Sequence, residues 1–191
     1  MARIIIVAGK PGTGKSTLSR ALMSELPPTW TMLDVDTLYI PMIVAVLADR
    51  GVSLVDAYGT PLLRSLRDAQ YAGLLAQAEQ ILTQANRRVV LVGSFSTELA
   101  DPGFRERCEA RFRCPVAIVE TWAPPAVVRK RIDGRSEFWD QMRRVHWDRE
   151  RTGYAEELPL RPWPVIDTRA ETDARSVLQY LLDAAQPAPL A

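Results

Sequence analysis

The sequence predicts an α/β fold: a five-stranded parallel sheet with helices packed on both faces. Three observations carry that expectation. Five short stretches, residues 4–8, 31–36, 89–92, 116–119 and 164–166, are mostly apolar and rich in β-branched side chains, the signature of strands covered on both sides. Segments with helical apolar spacing separate them, which is the alternation of parallel βαβ units. The 191 residues, 47% hydrophobic and 25% charged, show no repeat and no interdomain linker, so residues 1–191 form one domain with enough apolar material for a full core.

The elements follow in order. Ile4–Ala8 is a continuous aliphatic run and reads as the first strand. Residues 17–26 carry Leu18, Ala21, Leu22 and Leu26 on one helical face, and Pro27-Pro28 ends that helix. Residues 31–36 form a second strand closed by two carboxylates, Asp34 and Asp36. Residues 39–50 are largely aliphatic and helical, with Pro41 in the first turn and Gly51 as the stop. After a loop over 52–59, Thr60-Pro61 supplies the cap and first position of a long helix reaching about Arg87. The third strand, 89–92, ends at Gly93-Ser94, and Asp101-Pro102 starts a shorter helix through Phe112. The fourth strand, 116–119, is followed by a helix opened by Pro124-Pro125 and running through Ile132. Residues 133–161 turn polar and rich in arginine and tryptophan, a lid segment in which Ser136 caps a helix to about Arg151 and Trp139, Trp147 and Trp163 supply packing. A fifth strand at 164–166 and a closing helix over 172–184 complete the fold, and residues 186–191 are a frayed tail.

Between the first strand and first helix lies Gly9-Lys10-Pro11-Gly12-Thr13-Gly14-Lys15-Ser16, which meets every fixed position of the phosphate-loop pattern G-x-x-x-x-G-K-[ST]. Its glycines let the backbone turn successive N–H groups inward around an anion. The following helix adds the positive end of its dipole. Lys15 reaches the β- and γ-phosphates, the Ser16 hydroxyl joins a Mg²⁺ shell, and Thr17 adds a phosphate contact. The expected ligands are therefore ATP and Mg²⁺.

A net charge of +1 offers no nucleic-acid or membrane surface. Cys108 and Cys114 lack C-x-x-C spacing and His146 stands alone, so neither a zinc site nor a disulfide framework is expected. A leader pattern and an apolar run of spanning length are both missing, and the chain reads as cytoplasmic. A guanine-reading N-K-x-D does not occur, Asp56 and Gly59 match D-x-x-G only away from a strand, and the third strand closes on Val92-Gly93-Ser94 without a carboxylate. Those features argue against GTP switches and motor ATPases.

What remains is transfer to an alcohol. Asp34 and Asp36, two apart on an extended strand, face one side and reach toward the neighbouring phosphate loop. Asp36, nearer the strand end, suits the base that orients a hydroxyl and takes its proton, with Asp34 positioning it or holding a metal-bound water. Ser94 at the third strand end and Arg67 on the long helix are further candidates for acceptor contacts.

With Gly9 to Thr17, residues 33–38 after the second strand and residues 129–135 after the fourth, the chain resembles the phosphate-loop kinases acting on small-molecule hydroxyls. Gluconate kinases, chloramphenicol phosphotransferases and polynucleotide 5′-hydroxyl kinases share that ground plan. The resemblance implies a sheet ordered 2-3-1-4-5, ATP with Mg²⁺, a base at Asp36, and lid arginines at Arg131 and Arg135 closing on the phosphates. Where gluconate kinases carry a histidine after the second Asp, this chain has Tyr39, which is expected to face the acceptor. The leading reading is an ATP-dependent kinase of a small-molecule hydroxyl such as a natural product, antibiotic or sugar-like compound. A nucleotide or polynucleotide 5′-hydroxyl kinase and a non-enzymatic ATP-binding regulatory module are the alternatives.

Overall fold

The computed structural model describes residues 2–84, 87–170 and 172–184. The expected tail at 186–191 lies outside them. Five parallel strands, β1 (Ile4–Ala8), β2 (Trp30–Asp34), β3 (Arg88–Val92), β4 (Val116–Trp122) and β5 (Val165–Asp167), form one sheet ordered β2-β3-β1-β4-β5. β1 is central because it is apolar throughout. Ile4 stands level with Val89 on one side and Val116 on the other, and all five β1 residues are buried.

Alternation along β1 divides the core in two. Ile4, Ile6 and Ala8 pack with Leu74 and Ala78 of α3 (Pro61–Thr83) and with Phe104 and Phe112 of α4 (Phe104–Phe112). Ile5 and Val7 pack on the opposite face with Leu18 and Leu22 of α1 (Lys15–Glu25) and Leu178 and Leu181 of α8 (Ala174–Ala184). Both faces are therefore sealed, as a parallel sheet requires.

The local departures from expectation bear on the site. β2 stops at Asp34, two residues early, because the Asp34 side chain accepts the Asp36 N–H at 2.9 Å and caps α2 (Val35–Asp49) directly at the strand end. Asp36 thus belongs to the first turn of a helix and does not share a strand face with Asp34. Pro41 falls in the second turn of α2, where it has no N–H to offer the Thr37 carbonyl. α3 ends at Thr83, short of the expected Arg87, and β4 runs on to Trp122.

The segment after α5 (Pro125–Asp133) forms two short helices, α6 (Asp140–Val145) and α7 (Trp147–Arg151), in place of one helix capped by Ser136. Neither could persist alone at that length. Met142, Phe138 and Trp139 join Ile43 and Leu47 of α2 and Leu63 of α3 in one apolar cluster. Tyr154 and Trp147 join Val128 and Ile132 of α5 in another. Trp163 is not part of this lid. It packs in the sheet core, its indole N–H donating to Glu120 at 3.2 Å.

Candidate active site

The phosphate loop is built by fixing its carbonyls outward. Gly9, Gly12 and Gly14 adopt φ of 137°, 79° and 98°, where a side chain is strained. The Lys10 carbonyl accepts from the Thr13 N–H and hydroxyl, the Pro11 carbonyl from the Tyr154 hydroxyl at 3.0 Å, and the Gly12 carbonyl from Arg131 at 3.2 Å. The Thr168 hydroxyl donates to the Thr13 carbonyl at 2.8 Å, and Gly14 O closes the first turn of α1. With those peptide planes set, the N–H groups of Gly14, Lys15 and Ser16 have no protein acceptor among the described residues and are left to an anion.

Three adjoining cavities surround this loop. One of about 470 Å³ is lined by Lys15, Ser16, Asp34, Asp36, Arg135 and Arg143. A larger one of about 1040 Å³ lies over Thr17 and Leu18, between α5 and the segment after β5, with Val127, Lys130, Thr168 and Ala170 on its walls. The smallest, about 300 Å³, sits between α3 and the lid and is lined by Lys10, Asp36, Arg64, Arg67, Gln70 and Trp139 among others. The size is at the lower limit of ordinary small-ligand pockets, roughly 300–1,000 Å³. Asp36, Ser94, Pro11, Trp139 and Arg143 border both the first and the third.

The expected site residues divide accordingly. Lys15 stands in the phosphate cleft, its ammonium donating to the Lys10 carbonyl at 3.2 Å. Burial pulls it down to about 8, Asp36 and Asp34 oppose that shift, and Arg143 and Arg135 reinforce it. Ser16 and Thr17 are exposed toward the cleft, whereas the Thr13 side chain is buried and shares a 2.7 Å hydrogen bond with Thr121. Gly9 borders none of the three cavities, and Lys10 faces the smallest one, its ammonium 5.7 Å from the Tyr154 ring. Burial raises the pKa of the Asp34 carboxyl, against the hydrogen bonds from the α2 backbone.

Asp36 is exposed on the floor between two cavities, and the Trp139 indole N–H donates to its Oδ1 at 2.9 Å. Ser94 is fixed by its backbone: its N–H donates to the Tyr71 hydroxyl at 2.8 Å and its carbonyl accepts from Gly9. The same Tyr71 hydroxyl takes the N–H of Phe95, whose φ of 47° is the strained turn that ends β3. Arg67 lies over the Tyr71 ring and pairs with Glu98 at 2.8 Å, its side chain bordering the smallest cavity.

Two expectations need correction. Tyr39 borders neither cavity; it packs between α2 and α3, beside Gly73, and Gln77 donates to its hydroxyl at 3.4 Å. Arg131 does not line the phosphate cleft; it borders the large cavity beside α1 and donates to the Gly12 carbonyl and, at 2.9 and 2.6 Å, to the Thr168 hydroxyl and carbonyl. Arg135 does line the phosphate cleft, and Arg143 joins it there. Asp140, wholly buried, binds Arg135 through both oxygens at 2.6 and 3.1 Å and Arg143 at 3.4 Å. The exposed pair Arg129–Asp133 contributes only about 0.3–0.5 kcal/mol. Stripping one partner from a buried pair such as Asp140's costs about 3–5 kcal/mol. The three-residue spacing of Asp140 and Arg143 is an ion-pair spacing on a helix and is the signal that finds them.

A Mg²⁺ ion fits this donor set. The Ser16 hydroxyl is open to the cleft, and the Asp34 and Asp36 side chains line the same cleft. No helix among the described residues is long and apolar enough to cross a membrane.

Residues 4–156 match the family model AAA_33, described as an AAA domain. No curated protein sequence matches significantly. Among solved structures, the fold is shared with a Chloroflexus aurantiacus protein provisionally named a kinase, at 20% identity, TM-score 0.62, covering 97% of this chain and 100% of that one. Chaetomium thermophilum Kti12, solved with ADP-AlF3, matches at 20% identity and TM-score 0.61 over 96% of this chain and all of its own. A Sinorhizobium meliloti gluconokinase matches at 16% identity and TM-score 0.54, covering 95% and 92%. Together these comparisons establish a P-loop kinase-like fold.

Proposed function

Because the chain belongs to the AAA_33 family of P-loop kinase-like domains, we propose that it is an ATP-dependent phosphotransferase that moves the terminal phosphate to a hydroxyl of a small molecule. The observation that carries this reading is the position of Asp36, whose carboxylate borders the phosphate cleft and the 300 Å³ cavity at once. That carboxylate therefore stands where a hydroxyl in the smaller cavity would approach a phosphate in the cleft.

The nucleotide's base and ribose belong in the large cavity beside α1, which offers mostly apolar walls at Leu18, Ala21, Ala126 and Val127. The phosphates lie along the N–H groups of residues 14–16 with Lys15 between the terminal pair. Ser16 and the phosphate oxygens would hold Mg²⁺, with Asp34 reaching it through water; bound there, the ion neutralises developing charge. Arg135 and Arg143 close the cleft from the lid, electrostatic catalysis of the usual kind for a charged transferring group. Asp36 orients the acceptor hydroxyl and takes its proton as oxygen attacks phosphorus. The small volume of the acceptor cavity, about 300 Å³, suits a small molecule, and the net charge of +1 offers a polynucleotide little attraction.

The test is transfer of radiolabelled phosphate from ATP to a panel of hydroxyl-bearing metabolites and antibiotics, with wild type and Asp36→Asn in parallel. Loss of a positioned base lowers the rate about 10²–10⁴-fold while leaving nucleotide binding in place. Turnover by Asp36→Asn within a fewfold of wild type overturns the mechanism. ATP binding without transfer to any acceptor favours a regulatory module instead.

A further inference from the structure

Asp140 is the most buried charge in the described structure, with no exposed surface, yet it faces no cavity. Both of its partners do. Arg135 and Arg143 line the phosphate cleft, Arg143 also borders the acceptor cavity, and both are close enough to weigh on the Lys15 ammonium. The two guanidiniums come from different pieces of the lid: Arg135 from the turn after α5, Arg143 from α6. Without a carboxylate between them, two like charges sharing one wall would separate. The Nε–H of Arg143 is buried and has no partner, whereas Arg144, its neighbour, turns one guanidinium nitrogen to the Ile132 and Arg135 carbonyls.

We propose that Asp140 is a positioning residue that yokes Arg135 and Arg143 into one two-armed clamp for the terminal phosphate, with Arg143 the arm facing the acceptor side. The inference rests on the reading of the cleft as a triphosphate site, and it goes further by naming the device that aims the lid. A carboxylate shared by two guanidiniums leaves each with unused N–H donors in a fixed direction. It also keeps the pair together before nucleotide arrives, so the clamp does not have to assemble on it. The residue before it adds a second link: Trp139 donates to Asp36. One short stretch of chain therefore ties the clamp to the carboxylate on which the acceptor depends.

The clamp touches only the terminal phosphate, so the experiment compares affinities for ADP and for a non-hydrolysable ATP analogue, each with Mg²⁺, by calorimetry. No acceptor is needed, so failure here is separable from failure of the phosphotransfer reading. Wild type prefers the ATP analogue. In Asp140→Asn that preference falls about tenfold, as expected on losing charge-assisted aim at one phosphate group, while ADP affinity stays within about threefold. A merely structural role would weaken both ligands together in step with the loss of thermal stability. Arg143→Ala and Arg135→Ala each lose part of the same preference, and adding Asp140→Asn to the variant lacking both arginines loses no more, because Asp140 acts through the two of them. Should Asp140→Asn not fold, Arg143→Ala and Arg135→Ala are read the same way. An unchanged ADP-to-ATP preference in the folded Asp140 variant, or in both arginine variants, overturns the proposal, as does a wild type without that preference.

Discussion

Lys15 is where a single group couples nucleotide to proton. Burial draws its ammonium to about 8 from an ordinary 10.5, so the unfolded chain holds the extra proton between those values. Stability from this group consequently rises with pH across that window. Bound phosphates reverse the balance by favouring the charged form. Nucleotide binding at pH 8.5 should therefore take up a substantial fraction of a proton, and at pH 6.5 almost none. Calorimetry in two buffers of different ionisation enthalpy measures this directly, and Lys15→Met should abolish the uptake. Residue identity was legible in the sequence wherever the backbone itself demands it: Gly9, Gly12 and Gly14 occupy the positive-φ positions the motif implies. Tyr39 was not legible, because its direction depends on where α2 begins. Once the helix starts at Val35, the stripe Val35, Tyr39, Ile43 and Leu47 turns inward, and Asp36 and Ile40 turn to the cleft.

At the scale of elements, the strand-to-helix switch at Asp34 sets that register, and its strength can be measured. Asp34→Ala removes the cap that accepts the Asp36 N–H and should lower unfolding free energy by about 0.5–2 kcal/mol in urea titration. Asp34→Asn keeps a side-chain oxygen in place and should cost far less; equal losses in the two would mean the cap does not hold α2. Long elements with a strong apolar period, β1 and the helices α1 and α3, were readable to within a few residues. The lid was not. α6 and α7 have six and five residues, too few for local periodicity to specify them, and they exist because Met142 and Trp147 dock into two separate apolar clusters. Contacts from the loop before α3 hold the lid in the same way: His146 stacks on Tyr58 at 4.3 Å and hydrogen-bonds the Val55 carbonyl, while Tyr58 donates to Glu150 at 2.6 Å. Such partners lie some ninety residues apart, where no spacing rule reaches.

For the molecule as a whole, the sheet order puts the functional strand ends side by side. β1 delivers the phosphate loop, β3 beside it delivers Ser94, and β2 at the edge delivers Asp34 and, through the first turn of α2, Asp36. Ligands collect at those carboxyl ends because helix N-termini and unpaired N–H groups emerge there. Alternation of strands and helices predicts the layers, but the order of strands is a long-range property that came from the family resemblance. The lid then closes over both cavities, bringing Trp139 to Asp36 and Tyr154 to the Pro11 carbonyl. The central claim is that a terminal phosphate lodges between Lys15 and Asp36 with space left for an alcohol. A crystal structure with Mg²⁺ and a non-hydrolysable ATP analogue measures it most directly. The account predicts the γ-phosphate against Lys15 and Arg143, with Asp36 across a gap that opens into the 300 Å³ cavity. A γ-phosphate directed away from that cavity, or an Asp36 carboxylate turned out to solvent with the analogue bound, would contradict it.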